Sequence, residues 1–269
     1  MTEKLNYWVV TDLDGTLMDE NYDITPALET LEWLKQISIP VIPCTSKTAA
    51  EVRYFRNQIG LEDPYIVENG AAIYGQSLID KAPWEIILGK SYNDLRVILS
   101  EISKKIDYPL VPLNDLAVNE IKSLTGLSPQ EIERALDRHW SVPFLNPPSI
   151  SSEVLKEIKD QFDVNIFQGN RMSHLLSKDS HKGLAVEKLK TFLDSKDVII
   201  IALGDSQNDL PLLDIGDISI VVPSSNGANP SLQEGISKGK FMLANDIHAK
   251  GWSNSIRSII EGKIIPNRN

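Results

Sequence analysis

The sequence holds one cysteine, Cys44, so no internal disulfide can brace the fold and a reducing compartment suits the chain. No catalytic-cysteine motif surrounds it, and it reads as a small buried side chain near a strand end. Histidine is also scarce, with four in 269 residues and no His or Cys cluster of metal-ligand spacing. No apolar run approaches the roughly 20 residues that span a bilayer, which excludes a membrane partner by insertion. The start, Met1-Thr2-Glu3-Lys4-Leu5-Asn6, lacks the charged-then-apolar order of a secretion signal, and a cytoplasmic location is expected. Positive charge is also short. Twenty-seven Lys and Arg face 37 Asp and Glu, a net charge of -10 that excludes a general nucleic-acid binder. For an anionic small molecule the global field is repulsive, so attraction must come from a metal and a few placed cations.

The remaining composition, 42% hydrophobic and 24% charged, is that of a soluble globular protein. Leu5 to Thr11 is short, apolar and β-branched, and reads as a buried strand. Thr25-Pro26 opens a helix with Thr25 as its cap, Ile39 to Cys44 forms a second strand, Lys47 to Ile59 a helix, and Tyr65 to Val67 a third strand. The pattern returns with a helix over His181 to Leu193, a strongly apolar strand over Asp197 to Leu203, a helix from Asn208, and strands at Ile218 to Val222 and Phe241 to Leu243. Such alternation predicts an α/β fold with a doubly wound, Rossmann-like parallel sheet. Between the two blocks, helices are expected at about 91–104, 114–122, 128–139 and 151–161, with strands near 85–88, 142–145, 164–168 and 171–176. An inserted α+β domain over 84–178 is therefore expected, with the main domain built from 1–83 and 179–269.

Two acidic turns follow two of these strands. Asp12-Leu13-Asp14-Gly15-Thr16 ends the first, and residues two apart on extended backbone point the same way. Paired carboxylates repel, and a divalent cation is the usual reason to tolerate them. A plain Asx turn with glycine is the alternative. Gly204-Asp205-Ser206-Gln207-Asn208-Asp209 ends a later strand, with Asp205, Asn208 and Asp209 inside one helical turn, where an ordinary acidic N-terminus is the alternative. Thr45-Ser46-Lys47-Thr48 offers hydroxyls and a helix start that can hold phosphoryl oxygens or simply cap the helix. Lys182, after His181 and before Gly183, would by itself be a solvated surface charge.

Taken in order, these four elements resemble the four motifs of the haloacid dehalogenase phosphatases, and the insertion resembles that superfamily's type 2 cap. The resemblance implies that Asp12 is the nucleophile and Asp14 the general acid and base. It also implies that Thr45 and Lys182 hold phosphoryl oxygens. Asp205 would ligate Mg²⁺ with Asp12 and the main-chain carbonyl of Asp14, while Asn208 and Asp209 would order the outer shell.

Val67-Glu68-Asn69-Gly70-Ala71, Gly169-Asn170-Arg171-Met172-Ser173-His174 and Gly251-Trp252 at the start of the last helix narrow the likeness. Together with Thr45-Ser46-Lys47-Thr48 in place of Thr-Gly-Arg, they are similar to the mannosyl-3-phosphoglycerate phosphatase family. That family includes enzymes acting on the glucosyl compound and makes glycosylglycerates, which serve as compatible solutes. The likeness implies a small phosphorylated sugar-acid substrate, contacted by Ser46, Lys47, Asn69, Arg171 and His174. Arg171 would grip its carboxylate, or else Arg171 and His174 brace the cap. Val142 stands where that family's Ser-Glu-Pro would place an acid, so the sugar preference is expected to differ if that acid binds sugar hydroxyls. Other sugar-phosphate phosphatases (sucrose phosphate among them), a phosphomutase, and a non-catalytic phosphate-ester sensor stay open at this point.

Overall fold

The computed structural model describes residues 6–77, 79–147, 151–168 and 172–262. From the N-terminus, strand β1 (Tyr7–Thr11), helix α1 (Leu28–Gln36), strand β2 (Val41–Pro43) and helix α2 (Ala49–Ile59) form the first crossover. Strands β3 (Tyr65–Val67), β4 (Ala72–Gln76) and β5 (Pro83–Ile87) follow as an antiparallel set. Next come α3 (Tyr92–Lys105), α4 (Val118–Thr125), α5 (Pro129–Leu136), β6 (Val142–Leu145), α6 (Ser152–Phe162), β7 (Val164–Gln168) and β8 (Met172–Ser177). The chain ends with α7 (Lys182–Phe192), β9 (Ile199–Gly204), α8 (Leu210–Ile215), β10 (Ile218–Val221), α9 (Gln233–Ser237), β11 (Met242–Leu243) and α10 (His248–Ile260).

The main sheet has the order β11-β10-β9-β1-β2 and is parallel throughout. Alternate residues of its strands fill two cores. Val9, Val41, Ile201, Leu203 and Ile220 pack with Leu31, Leu34, Trp252 and Ile256 on one face. Trp8, Val10, Ile42, Ile200 and Ala202 pack with Ala185, Val186, Leu189 and Leu212 on the other. Burial on both faces is why these strands read as continuous apolar runs in the sequence. The chain leaves β1 toward β2 on one side and returns as β9 on the other. The switch point therefore lies between β1 and β9, where a crevice opens beyond the strand ends.

Several local expectations need correction. Thr25 does not cap α1: its hydroxyl is spent on Asp23, and a 3₁₀ turn over Thr25–Ala27 precedes the helix. The third strand joins the parallel sheet only through the single Cys44–Ile66 bridge and pairs instead with β4, an antiparallel strand the sequence reading passed over. The expected 114–122 helix is a 3₁₀ turn at Leu113–Asp115 followed by α4, because Leu116 adopts an extended conformation between them. Gly251 and Trp252 lie inside α10, not at its start. The expected boundary at 83/84 falls within β5, which pairs with β4.

Residues 92–177 carry their own sheet, in the order β6-β8-β7, and their own apolar cluster around Leu95, Leu99, Ile102, Phe144, Ile158 and Leu175. This unit meets the main sheet's loops through backbone acceptors. Thr48 Oγ1 donates to the Arg134 carbonyl at 2.7 Å, and Arg138 Nη1 donates to the Ser46 carbonyl at 3.0 Å.

Helix α10 reaches the end of β1 through one side chain. Trp252 is fully buried and its Nε1 donates to Thr11 Oγ1 at 3.0 Å, while that hydroxyl donates to the Asp12 carbonyl at 2.7 Å. Trp252→Phe keeps an aromatic side chain but is smaller than the indole and strips Thr11 of its donor. Urea unfolding should show a loss of about 1–3 kcal/mol. A loss within about 0.5 kcal/mol, the range of neutral surface changes, would mean that the bond contributes nothing.

Candidate active site

Asp12 is the first residue past β1, and its N–H continues the ladder to the Leu203 carbonyl of β9 at 3.0 Å. Its Oδ1 accepts from Lys182 Nζ at 2.6 Å, and the same ammonium donates to Asp209 Oδ1 at 2.6 Å. Lys182 has no solvent exposure, so the solvated-surface alternative is excluded by its position at the start of α7. The other Asp209 oxygen accepts from the N–H groups of Asp205 and Ser206, both at 3.0 Å, and so shapes the turn after β9. Gly204 permits this turn, because a Cβ there would collide with the Asp209 side chain. Asp205 accepts from Thr16 Oγ1 at 3.3 Å. Gly15 has φ +83° and lies so near that a Cβ would sit 2.6 Å from Asp205 Oδ2. Glycine there lets the first acidic turn press on the second.

Asp12, Asp205 and Asp209 thus bring carboxylate oxygens within 4.8 Å of one another. One ammonium faces two buried carboxylates, with the half-buried Asp205 beside them. Burial pushes Asp12 up to about 7 despite the counter-pull of Lys182, with Asp209 and Asp14 adding to the rise. Burial and the charges of Asp209 and Asp12 also hold Asp205 well above the usual carboxylate range. For Lys182, burial opposes the charge, but Asp12 and Asp209 outweigh it and keep the ammonium protonated. The site is short of positive charge, and its donors are oxygens without nitrogen or sulfur. That donor set suits a hard divalent cation. Oδ2 of Asp12 and of Asp205 accept no hydrogen bond among the described residues, whereas both Asp209 oxygens are engaged.

Asp14 points elsewhere. Its carboxylate is 45% exposed and pairs with Lys47 Nζ at 2.9 Å. Burial would lower Lys47, but Asp14 and Glu51 reverse the direction and hold it above an ordinary lysine. Thr45 is buried and its Oγ1 accepts from the Lys47 N–H at 3.2 Å. It is Thr48, in a reciprocal pairing with Glu51, that caps α2, so Thr45, Ser46 and Lys47 form the loop before the helix. Asn69 is buried, with its Oδ1 accepting from Asn208 Nδ2 at 3.0 Å, and its N–H donates to the Thr45 carbonyl. It joins two loops of the site.

His174 lies on β8 of the second unit, opposite Pro143 of β6. Its Nδ1 is buried without a partner, and burial, aided by the Arg138 charge, drives it down to about 3. Arg171 lies outside the described residues. Val142, on β6, is fully buried in the second unit's core.

Glu68, quoted above only as part of a motif, is a buried junction between the two units. Its oxygens accept from the N–H groups of His139 and Trp140, at 3.0 and 3.2 Å, and from Ser141 Oγ at 2.5 Å. The signal in the sequence was an acid directly after a buried strand and before Asn-Gly; its partners, some 70 residues away, left no local trace.

A model of the haloacid dehalogenase-like hydrolase family matches residues 9–232. The glucosyl-3-phosphoglycerate/mannosyl-3-phosphoglycerate phosphatase of Persephonella marina is 33% identical, over 94% of this chain and 96% of that protein. The protein of the same name in Methanococcoides burtonii is 32% identical, over 95% of this chain and 98% of that protein. Among solved structures, a Thermoplasma acidophilum protein superposes with a TM-score of 0.69 at 20% identity, covering 96% of this chain and 99% of that one. The sucrose-phosphatase of Synechocystis sp. PCC6803 gives 0.62 at 19% identity, covering 96% and 98%. At such identities the structures speak for the fold alone.

The half-buried His174, whose Nδ1 is shut off from solvent, makes stability depend on pH. Its folded value lies below its unfolded one, so its contribution is complete above about 6.5 and is lost as pH falls toward 3. Between pH 7 and pH 5 the protein should lose about 2 kcal/mol more than His174→Gln does, read from urea unfolding at each pH. Identical pH dependence in the two proteins would mean that His174 titrates normally.

Proposed function

This chain belongs to the haloacid dehalogenase-like hydrolases, in the glucosyl-3-phosphoglycerate/mannosyl-3-phosphoglycerate phosphatase family, and we propose that it hydrolyses a glycosyl-3-phosphoglycerate to glycosylglycerate and phosphate. The observation that carries this reading is Lys182 shared between Asp12 and Asp209 at the strand switch point, beside an Asp12 oxygen that accepts no hydrogen bond among the described residues. The products suit a route to compatible solutes.

In the proposed reaction Asp12 attacks phosphorus, forming an aspartyl-phosphate as the bond to the glycerate oxygen breaks. Asp14 gives the leaving oxygen its proton, then takes one from the water that attacks the aspartyl-phosphate and frees Asp12. For this the Asp14 side chain must turn from Lys47. Lys182 and Thr45 hold the non-bridging oxygens, and Ser46 and Lys47 line the same loop. Asp209 acts through Lys182 and through the turn that carries Asp205, and Asn208 with Asn69 fixes that turn against the Thr45 loop. Mg²⁺ would be held by Asp12, Asp205 and the main-chain carbonyl of Asp14, and when bound it would supply the positive charge that the three clustered carboxylates lack. Phosphoryl transfer asks for little beyond such alignment and charge.

Purified protein with Mg²⁺ should release phosphate from glucosyl- or mannosyl-3-phosphoglycerate, and EDTA should stop it. Asp12→Asn should lower kcat by at least about a thousandfold with the fold retained by circular dichroism. Turnover that survives this change would remove Asp12 from the nucleophile role. Asp205→Ala should raise the Mg²⁺ needed for half-maximal rate about tenfold or more, and an unchanged titration would remove it as a ligand.

A further inference from the structure

Arg138 belongs to the second unit but faces the main one. Its side chain is 6% exposed, and its Nη1 donates to the Ser46 carbonyl at 3.0 Å and to Ser141 Oγ at 3.1 Å. Ser46 sits between Thr45 and Lys47, so the guanidinium abuts the loop assigned above to the phosphate. Arg138 Nε is buried and has no hydrogen-bond partner among the described residues. Its ion-pair partner, Glu68, is 4.0 Å away, and both Glu68 oxygens already accept from residues 139–141. Glu68 thus holds the 138–141 segment in place without occupying the guanidinium fork. His174, across the β6–β8 ladder from Pro143, leaves its Nδ1 equally unpaired.

A buried cation with an unused donor is costly unless something completes it. We propose that Arg138, aimed by Glu68 and Ser141 and flanked by His174, is the recognition site for a carboxylate on the leaving group of the phosphate ester. The assignment rests on the phosphatase reading above. A guanidinium fork matches a carboxylate in shape and charge. With the Glu68 carboxylate 4.0 Å from Arg138 and His174 held neutral by burial, the site carries little net positive charge, which suits a singly charged carboxylate better than a second phosphate. Because Arg138 touches Ser46, phosphate and carboxylate would be bound a few atoms apart, as they are in a 3-phosphoglycerate.

The test is calorimetric and independent of turnover. Full-length Asp12→Asn protein is titrated with glucosyl- and mannosyl-3-phosphoglycerate and with the same esters whose carboxylate is reduced to an alcohol. The carboxylate forms should bind about 100-fold tighter, and Arg138→Gln should shrink that gap to within about threefold. Arg138→Lys, which keeps the charge but not the fork, should leave about a tenfold gap; it replaces Arg138→Gln if that variant does not fold. Equal binding of both forms overturns the carboxylate site while leaving the phosphate site intact. A gap unchanged by either Arg138 variant also overturns it and moves the carboxylate to another cation, such as Arg171. Binding of neither form overturns this proposal together with the reading it rests on.

Discussion

A single buried ammonium, Lys182 Nζ, lies 2.6 Å from both Asp12 and Asp209, and the loops of the main sheet are arranged around it. A lysine without solvent can stay charged only among carboxylates, and carboxylates so close can stay ionised only beside cations. The geometry needs backbone segments nearer than side chains normally permit. Gly183 lies against the Pro211 carbonyl and Gly70 against the His181 carbonyl, so α7 can bring Lys182 down to the strand ends. The balance remains incomplete, with three carboxylates to one ammonium. That residual negative charge, in a chain already at -10, is the physical case for a divalent cation here.

Much of this could be read from the sequence. Strands buried on both faces announce themselves as apolar runs, and β1 and β9 end at the acidic turns that converge on the switch point. Asp12, Asp205, Asp209 and Lys182 meet as their order in the chain implied. Features set by distant partners were not legible. The run Thr45-Ser46-Lys47-Thr48 left open which hydroxyl caps the helix, a part that Thr48 takes with Glu51, and the Thr25 hydroxyl is spent on Asp23. The bond from Asn208, 139 residues away, to the Asn69 side-chain oxygen left no local pattern either. Glu68 showed only as an acid between a buried strand and Asn-Gly, and its contacts, like those of Arg138, left no local trace because they cross between the two units. β4 was passed over because Ala72–Gln76 contains Gly75, pressed against Trp84, instead of a continuous β-branched run.

Glu68 and Asn69 make one turn serve two purposes. Both residues adopt positive φ, 47° and 58°, which places the Glu68 carboxylate toward residues 139–141 and the Asn69 amide toward Asn208. Such conformations are sparsely populated for non-glycine residues and persist only where surroundings hold them. Here the holding contacts come from the second unit on one side and the acidic turn on the other. Placement of the second unit is thereby tied, through two adjacent residues, to the loop that carries Asp205 and Asp209.

In the proposed reaction Asp12, made available beside Lys182, takes the phosphoryl group. The most direct test is a rapid-quench experiment with a radiolabelled glycosyl-3-phosphoglycerate and Mg²⁺, stopped in acid before the first turnover is complete. Peptide mapping should find the label on the segment bearing Asp12, rising before free phosphate and decaying as phosphate appears. Phosphate release with no protein-bound label at any time, or label on a peptide without Asp12, would contradict the account.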